Sequence, residues 1–314
     1  MRLLYLGNFR HPWCTERHLA KSFMSLGHTV VAVQEDEGNP HLLMGLIDEH
    51  RPRAFIQTRT WSWPSTEWVL PVMDACAERG IATAGFHLDR LFGLGREDRI
   101  ASEPMFRSDV VFTADGDDPQ KWSGVLEQGF HHWLRAGIVE DEAVRVAQNP
   151  REYGGKLVAF VGTEHYHPEW PHRAELVAHL RRRWGDRFLK VGDGNPTIRG
   201  LQLNELYASV PVIVGDSCFA SESTRYWSDR PYETWGRGGC LVFPRVDALR
   251  DELGDYPSWT VGDFDELDRV VHALLDDGTL RDRHAADHHH RVRATATYRH
   301  RAAEMLRVLG LGDA

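Results

Sequence analysis

The sequence predicts an α/β protein made of two Rossmann-like domains, with a cleft between them and helices at the C-terminus. Short apolar runs alternate with helical stretches of about ten to fifteen residues, the pattern of a parallel sheet with helices on both faces. The alternation breaks once, from Gly129 through Asn149-Pro150 to Gly154-Gly155, and then restarts. That break places one domain at residues 1–150 and the other at 151–314. At 314 residues the chain is long enough for two domains of ordinary size.

The first half is read as follows. Arg2 to Leu6 is a buried strand that turns at Gly7-Asn8, and Thr15 opens a helix closed by Gly27. Thr29 to Gln34 is the second strand, and Pro40 to His50 a helix that ends before Pro52. Ala54 to Thr58 is a strand, Ser65 to Arg79 a helix stopped by Gly80, and Ile81 to Phe86 and Asp109 to Thr113 are two further strands. In the second half Lys156 to Val161 is a strand, Glu169 to Trp184 a helix and Arg187 to Val191 a strand. Leu203 to Ser209 is a short helix, followed by strands at Val210 to Val214, Cys240 to Phe243 and Ser258 to Val261. Helices from Asp263 to Leu275, Leu280 to Arg293 and Tyr298 to Leu309 close the chain. No fixed-period repeat is found.

Composition narrows the class. With 42% hydrophobic and 26% charged residues, folding rather than disorder is the default. A formal net charge of -9 speaks against a protein coated by nucleic acid, although a local basic groove can hide inside that total. Cys14, Cys76, Cys218 and Cys240 lie far apart, with no CxxC pair and no zinc spacing. Met1-Arg2 leads directly into a strand without a signal peptide, and no apolar run approaches the roughly 20 residues that span a bilayer. A cytoplasmic setting without membrane insertion is expected. His288-His289-His290 falls in a polar helical stretch and reads as solvated.

Parallel sheets bind ligands at the carboxyl ends of their strands. That puts Gly7 to Trp13, Arg59 to Trp63, His87 to Arg90 and Ala114 to Asp118 along one rim. No GxGxxG follows the first strand, which weakens a nicotinamide reading. In the second half the focus is Tyr226 to Pro244, read as loop, short helix, glycine turn and buried strand. A carboxylate on the first turn of such a helix, Glu233, can accept both hydroxyls of a ribose, and Arg230 can hold a diphosphate. The plainer reading, at even weight, is a buried Arg–Glu pair beside a glycine-rich turn.

The second half resembles the carboxyl-terminal domain of GT-B glycosyltransferases, closest to the CgeB-like, spore-maturation and phage-encoded branch of the glycosyl transferases group 1. The resemblance rests on Phe160-Val161-Gly162-Thr163, Lys190-Val191-Gly192-Asp193-Gly194 and Val214-Gly215-Asp216-Ser217. It continues through Tyr226-Trp227-Ser228-Asp229-Arg230-Pro231-Tyr232-Glu233, Gly238 to Pro244 and the tail Thr297-Tyr298-Arg299-His300-Arg301. Phe86 to Arg90 and Phe112 to Gly116 are similar to the same branch, more weakly. The resemblance implies a metal-independent transferase holding a nucleotide-sugar, expected to be a UDP-sugar, mainly in the second domain. Gly162, Thr163, Lys190, Asp216, Arg230, Tyr232 and Glu233 would bind the donor, and Gly7 and Asn8 are counted with them. The first domain would face the acceptor, and the helix from Tyr298 would pack back on it. Many retaining members carry an acid eight positions before the ribose carboxylate, where this chain has Arg225; Asp229 or Glu222 would serve instead. Retention is favoured by resemblance alone.

The departing diphosphate needs fixed cations, for which Lys190 and Arg230 are the best placed; the alternative for each is a structural ion pair. His87 can take a proton from an acceptor hydroxyl with Asp89 orienting it, bind the sugar or phosphate, or simply cap a loop. Trp61, Trp63 and His11 offer an acceptor platform, against ordinary packing. Asp115-Gly116-Asp117 allows a GT-A-like metal reading, though Asp-Gly is also turn chemistry. His165, His167 and His172 are too interrupted by proline to favour a metal. Competing functions are a nucleotide-sugar epimerase, a degenerate sugar-nucleotide-binding module, and a phage transferase whose acceptor is a DNA base or virion protein.

Overall fold

The computed structural model describes residues 1–58, 67–116, 119–165, 168–193 and 198–312. Contacts divide the chain into two compact units, Met1–Ala136 with Tyr298–Ala314, and Gly137–Thr297. The division at Ala136 lies inside the break that starts at Gly129, ahead of the boundary at residue 150 taken from the sequence.

In the first unit β1 (Arg2–Gly7), β2 (Thr29–Gln34), β3 (Ala54–Thr58), β4 (Ala82–His87), β5 (Val110–Thr113) and β6 (Phe130–Trp133) form one sheet. The order is β2-β1-β3-β4-β5-β6, and every pairing is parallel. Helices α1 (Thr15–Ser25), α2 (Pro40–His50), α3 (Leu70–Glu78), α4 (Asp98–Ser102) and α5 (Pro119–Val125) occupy the crossovers. Central strands covered on both faces read as unbroken apolar runs. Leu3 to Leu6 are at most 1% exposed, and Leu4, Leu6, Phe55, Leu43, Ile47, Val69 and Val72 share one core. Each such side chain contributes roughly 1.5–3 kcal/mol by leaving water. Asn39 caps α2, its side chain accepting from the Leu42 N–H at 2.9 Å.

The second unit runs through α6 (Pro150–Tyr153), β7 (Val158–Val161), α7 (His172–Trp184), β8 (Phe188–Val191), α8 (Leu201–Ser209) and β9 (Val212–Val214). It continues with α9 (Arg230–Gly236), β10 (Leu241–Pro244), α10 (Asp247–Leu253), β11 (Ser258–Trp259), α11 (Phe264–Asp276) and α12 (Gly278–Thr295). The last helix, α13 (Tyr298–Val308), belongs to the first unit and packs on α1. The second sheet has the order β11-β10-β9-β7-β8, again parallel. In both sheets the second strand lies outside the first, and the third lies on the first strand's other side. The chain therefore reverses direction across the sheet between β1 and β3, and again between β7 and β9. A crevice opens at the carboxyl ends of the strands at such a point.

Three local readings change. Phe130–Trp133 is strand rather than irregular chain; it pairs with β5 and widens the sheet to six strands. The helix expected from Glu169 begins at His172, after Pro171, whose fixed φ suits a helix entrance. His288 is 2% exposed and stacks on Trp235 at 4.4 Å, so the histidine run turns one ring into the core.

Candidate functional site

The carboxyl edge of the second sheet is built from the turns after β7, β8 and β9 and from the entrance to α9. Gly162 has φ +151° and Gly192 φ +119°, conformations open to glycine. A Cβ on Gly192 would sit 2.4 Å from the Gly162 carbonyl oxygen, so these two turns touch backbone to backbone. Lys190 ties them together. Its ammonium donates to Gly162 O at 2.6 Å, to Val191 O at 3.3 Å and to Asp193 Oδ2 at 2.7 Å. Asp193 in turn accepts from the Glu164 N–H at 3.0 Å. With its three donors engaged and the side chain 10% exposed, Lys190 is a clamp for the two turns rather than the open cation expected.

Arg230 is the more open of the two cations. It opens α9, keeps 26% of its side chain exposed, and has Asp229 Oδ1 at 3.9 Å. Its Nε lies 3.9 Å from where a Gly162 Cβ would be, which brings the guanidinium to the β7 turn. Asp229 is about half exposed at the same entrance. Thr163 contributes its carbonyl to Arg173 Nη1 at 3.4 Å.

Arg173, which the sequence did not single out, spans the crevice between β7 and β9. Besides Thr163 O it reaches Asp216 Oδ2 at 3.0 Å, where Trp170 Nε1 also donates at 3.0 Å. Asp216 is 2% exposed, and its Oδ1 has no partner. Burial pushes its carboxyl up, against the pull of Arg173. The Asp216 carbonyl accepts from Ser228 Oγ at 3.1 Å, and Ser217 Oγ accepts from the Ser228 N–H at 3.0 Å, which fixes the approach to α9. Asp216 therefore organises the turn from beneath its surface.

Glu233 and Tyr232 also depart from their expected surroundings. Glu233 forms an ion pair with Arg237, one turn later, and Arg237 pairs with Glu142 as well. Arg237 is 1% exposed, so the plainer Arg–Glu reading is present in the fold, although with Arg237 rather than Arg230. Glu233 keeps 15% of its side chain exposed. Tyr232 is fully buried; its hydroxyl donates to Glu252 at 2.7 Å and accepts from Trp227 Nε1 at 3.0 Å. Those bonds make it part of the frame under α9 and remove it from ligand contact.

In the first unit Gly7 and Asn8 lie at the crevice end of β1. A Cβ on Gly7 would stand 2.7 Å from Glu16 Cγ, and the Asn8 side chain accepts from the Arg10 N–H at 3.1 Å. Glu16, also missed by the sequence reading, is 6% exposed beneath this turn, and burial pushes its carboxyl up to about 7. His87 ends β4, with Nδ1 at 3.0 Å from the backbone oxygen of Asp89. The partner is that carbonyl and not the carboxylate, so Asp89 orients the ring through its main chain. Asp115 is fully buried, and its carboxylate accepts from the Leu91 and Phe92 N–H groups at 3.0 and 3.3 Å. Enclosed in this way, it does not present itself to a metal. Its supposed partner Asp117 lies outside the described residues, as do Trp61, Trp63 and His167. His11 stacks on Trp13 at 5.1 Å, an exposed aromatic pair beside the β1 turn. Buried His172 stacks on Phe264, and burial lowers its pKa. His165 is largely exposed beside Glu164.

Several solved structures share the fold over nearly the whole chain. HepE from Anabaena, in complex with UDP-glucose, matches with TM-score 0.62 at 10% identity, covering 99% of each chain. A UDP-forming trehalose-phosphate synthase from Burkholderia xenovorans gives 0.64 at 12% identity, covering 98% of each. An E. coli trehalose-6-phosphate protein bound with UDP-2-fluoro glucose gives 0.63 at 10%, covering 98% of this chain and 99% of that one. The fold is GT-B. Residues 159–307 match the family described as glycosyl transferase-like, a segment that holds the β7 turn, Lys190, Asp216, Arg230 and Glu233. No curated protein sequence matches the chain. Among the described residues no helix is long and apolar enough to cross a membrane.

Proposed function

We propose that this protein moves a sugar from a nucleotide-sugar to an acceptor, without a metal ion and with retention at the anomeric carbon. The observation that carries this reading is the meeting of the Gly162 turn, the Lys190–Asp193 clamp and Arg230 at one edge of the second sheet. All of them lie within the glycosyl transferase-like segment. Transfer breaks the bond from the anomeric carbon to the diphosphate oxygen and leaves negative charge there. A guanidinium fixed beside two glycine turns can stabilise that charge without reorganising. Glu233, held by Arg237 but still reached by solvent, can accept from ribose hydroxyls. Retention rests on the resemblance in the sequence. Two of the matched structures hold UDP-glucose or its 2-fluoro analogue, which makes uracil the first base to try.

The test is the melting temperature against UDP, GDP, ADP, CMP and dTDP, in EDTA and then with magnesium or manganese. A nucleotide at 100 times its dissociation constant adds about 2.7 kcal/mol of stability. UDP is expected to raise the melting temperature in EDTA. Arg230→Ala and Glu233→Ala should each weaken UDP by about 1.5–3 kcal/mol, the scale of a charge-assisted hydrogen bond. A shift that requires metal overturns the metal-free reading. No shift with any of the five nucleotides overturns the donor site.

A further inference from the structure

At the opposite edge of the second sheet, where β9 and β10 begin, the unit holds a cavity of about 180 Å³. Three arginines from separate segments line it: Arg145 before α6, Arg237 after α9 and Arg281 on α12, with Pro211 and Cys240 among the walls. Among the described residues the lining holds one carboxylate, Asp282, which is 72% exposed and lies 3.3 Å from Arg281 Nε. Arg145 makes no hydrogen bond or ion pair among the described residues. Its stem packs on Gly238, whose φ of +81° and missing Cβ leave room for it. Arg237 is 1% exposed; Glu142 and Glu233 take its two terminal nitrogens, and its buried Nε has no partner. A buried donor without an acceptor is costly, and Arg145 adds to the same recess a guanidinium that no carboxylate neutralises among the described residues, a local attraction for anions even on a molecule of net charge -9.

We propose that this cavity binds a phosphate-class anion, either inorganic phosphate or the phosphate group of a small ester. Arg145 and Arg281 grip it, and Arg237 forms the charged floor. The volume is well below the roughly 300–1,000 Å³ of sites for drug-sized ligands, so a small anion fits and a whole nucleotide-sugar does not. Because Arg237 also holds Glu233, an anion here competes for the guanidinium that fixes the ribose carboxylate. That coupling to nucleotide binding rests on the function proposed above; binding of the anion does not.

The experiment is calorimetric titration of the whole protein with inorganic phosphate at constant ionic strength. Wild type, Arg145→Ala/Arg281→Ala and Arg230→Gln are compared. Wild type and Arg230→Gln should bind phosphate alike, and the double variant at least tenfold more weakly, with its phosphate-free melting temperature unchanged. If the double variant melts lower, Arg145→Glu alone, at an exposed position, should give the same tenfold loss. The proposal is overturned if wild type takes up no phosphate, if the arginine variants bind as wild type does, or if only Arg230→Gln loses binding. That last result would place the anion in the nucleotide site instead. A UDP titration with and without saturating phosphate then reads the coupling separately: changed UDP affinity supports it, and unchanged affinity removes it while the anion site stands.

Discussion

Glu16 gives the first unit a pH dependence of its own. Burial lifts its carboxyl to about 7 from an ordinary 4.5, with Glu35 adding repulsion, while the N–H groups of Glu16 and Asn8 and the Cys14 thiol pull the other way. The folded chain thus holds this proton more tightly than the unfolded one. The group's contribution is full below about pH 4.5 and is lost as pH rises through about 7. At about 1.4 kcal/mol per pH unit of difference, the loss is roughly 3 kcal/mol. Glu16→Gln should therefore gain stability over wild type at pH 8 and lose the advantage at pH 4, read from urea unfolding at both pH values. An equal effect at both would show that Glu16 does not hold its proton. Glu233 poses a different problem, because its partner is buried. Its removal leaves Arg237 with Glu142 alone, at a cost of about 1–3 kcal/mol in stability. UDP affinities of Glu233→Ala therefore belong well below its melting temperature, and an unchanged unfolding midpoint would show that the Arg237 pair adds nothing. Neither relation was legible in the chain. Glu16 simply follows Thr15 at the start of α1 and Arg237 stands between glycines, and neither position marks itself for burial.

At the scale of elements, the turns after β7 and β8 act as one unit, since Gly192 has room for no side chain against the Gly162 carbonyl. Gly192→Ala combines that clash with a φ of +119° and should cost about 2–3 kcal/mol, with weaker UDP binding. Full stability in that variant would mean that the two backbones separate freely. The strands around these turns were legible because a strand covered on both faces must be apolar throughout, as in VAFV and VIV. β6 was not, because Phe-His-His-Trp lies at the edge of the sheet and its polar atoms find partners within the unit. His131 meets the Thr113 hydroxyl at 2.8 Å, His132 meets Glu304 at 2.8 Å, and Trp133 Nε1 donates to Ala114 O at 3.1 Å. The site was legible to a similar degree. Glycines and cations could be placed on the right turns from their order along the chain. Which of them spend their hydrogen bonds inside the protein, as Lys190, Asp216 and Tyr232 do, depends on how the turns fold against one another.

The whole molecule is a chain that leaves its first unit at Ala136 and returns to it at Tyr298. α13 brings buried Tyr298, Arg301, Met305 and Leu306 against that unit, with Arg301 Nε donating to Ala136 O at 3.0 Å and Tyr298 meeting Thr15 at 3.3 Å. Truncation after Thr297 removes several fully buried side chains and should destabilise the first unit by more than about 3 kcal/mol. Amide exchange of the second unit should stay as it was. Equal exchange in the first unit with and without α13 would contradict this. The same return path sets an order during synthesis. The second unit is one uninterrupted segment and can close on itself as soon as it clears the ribosome. The first unit emerges earlier but gains α13 only after the second unit has been made. Until then the face of α1 that carries Thr15 and His18 lacks the Tyr298 that covers it, so the half of the chain made first is expected to be the later one to close.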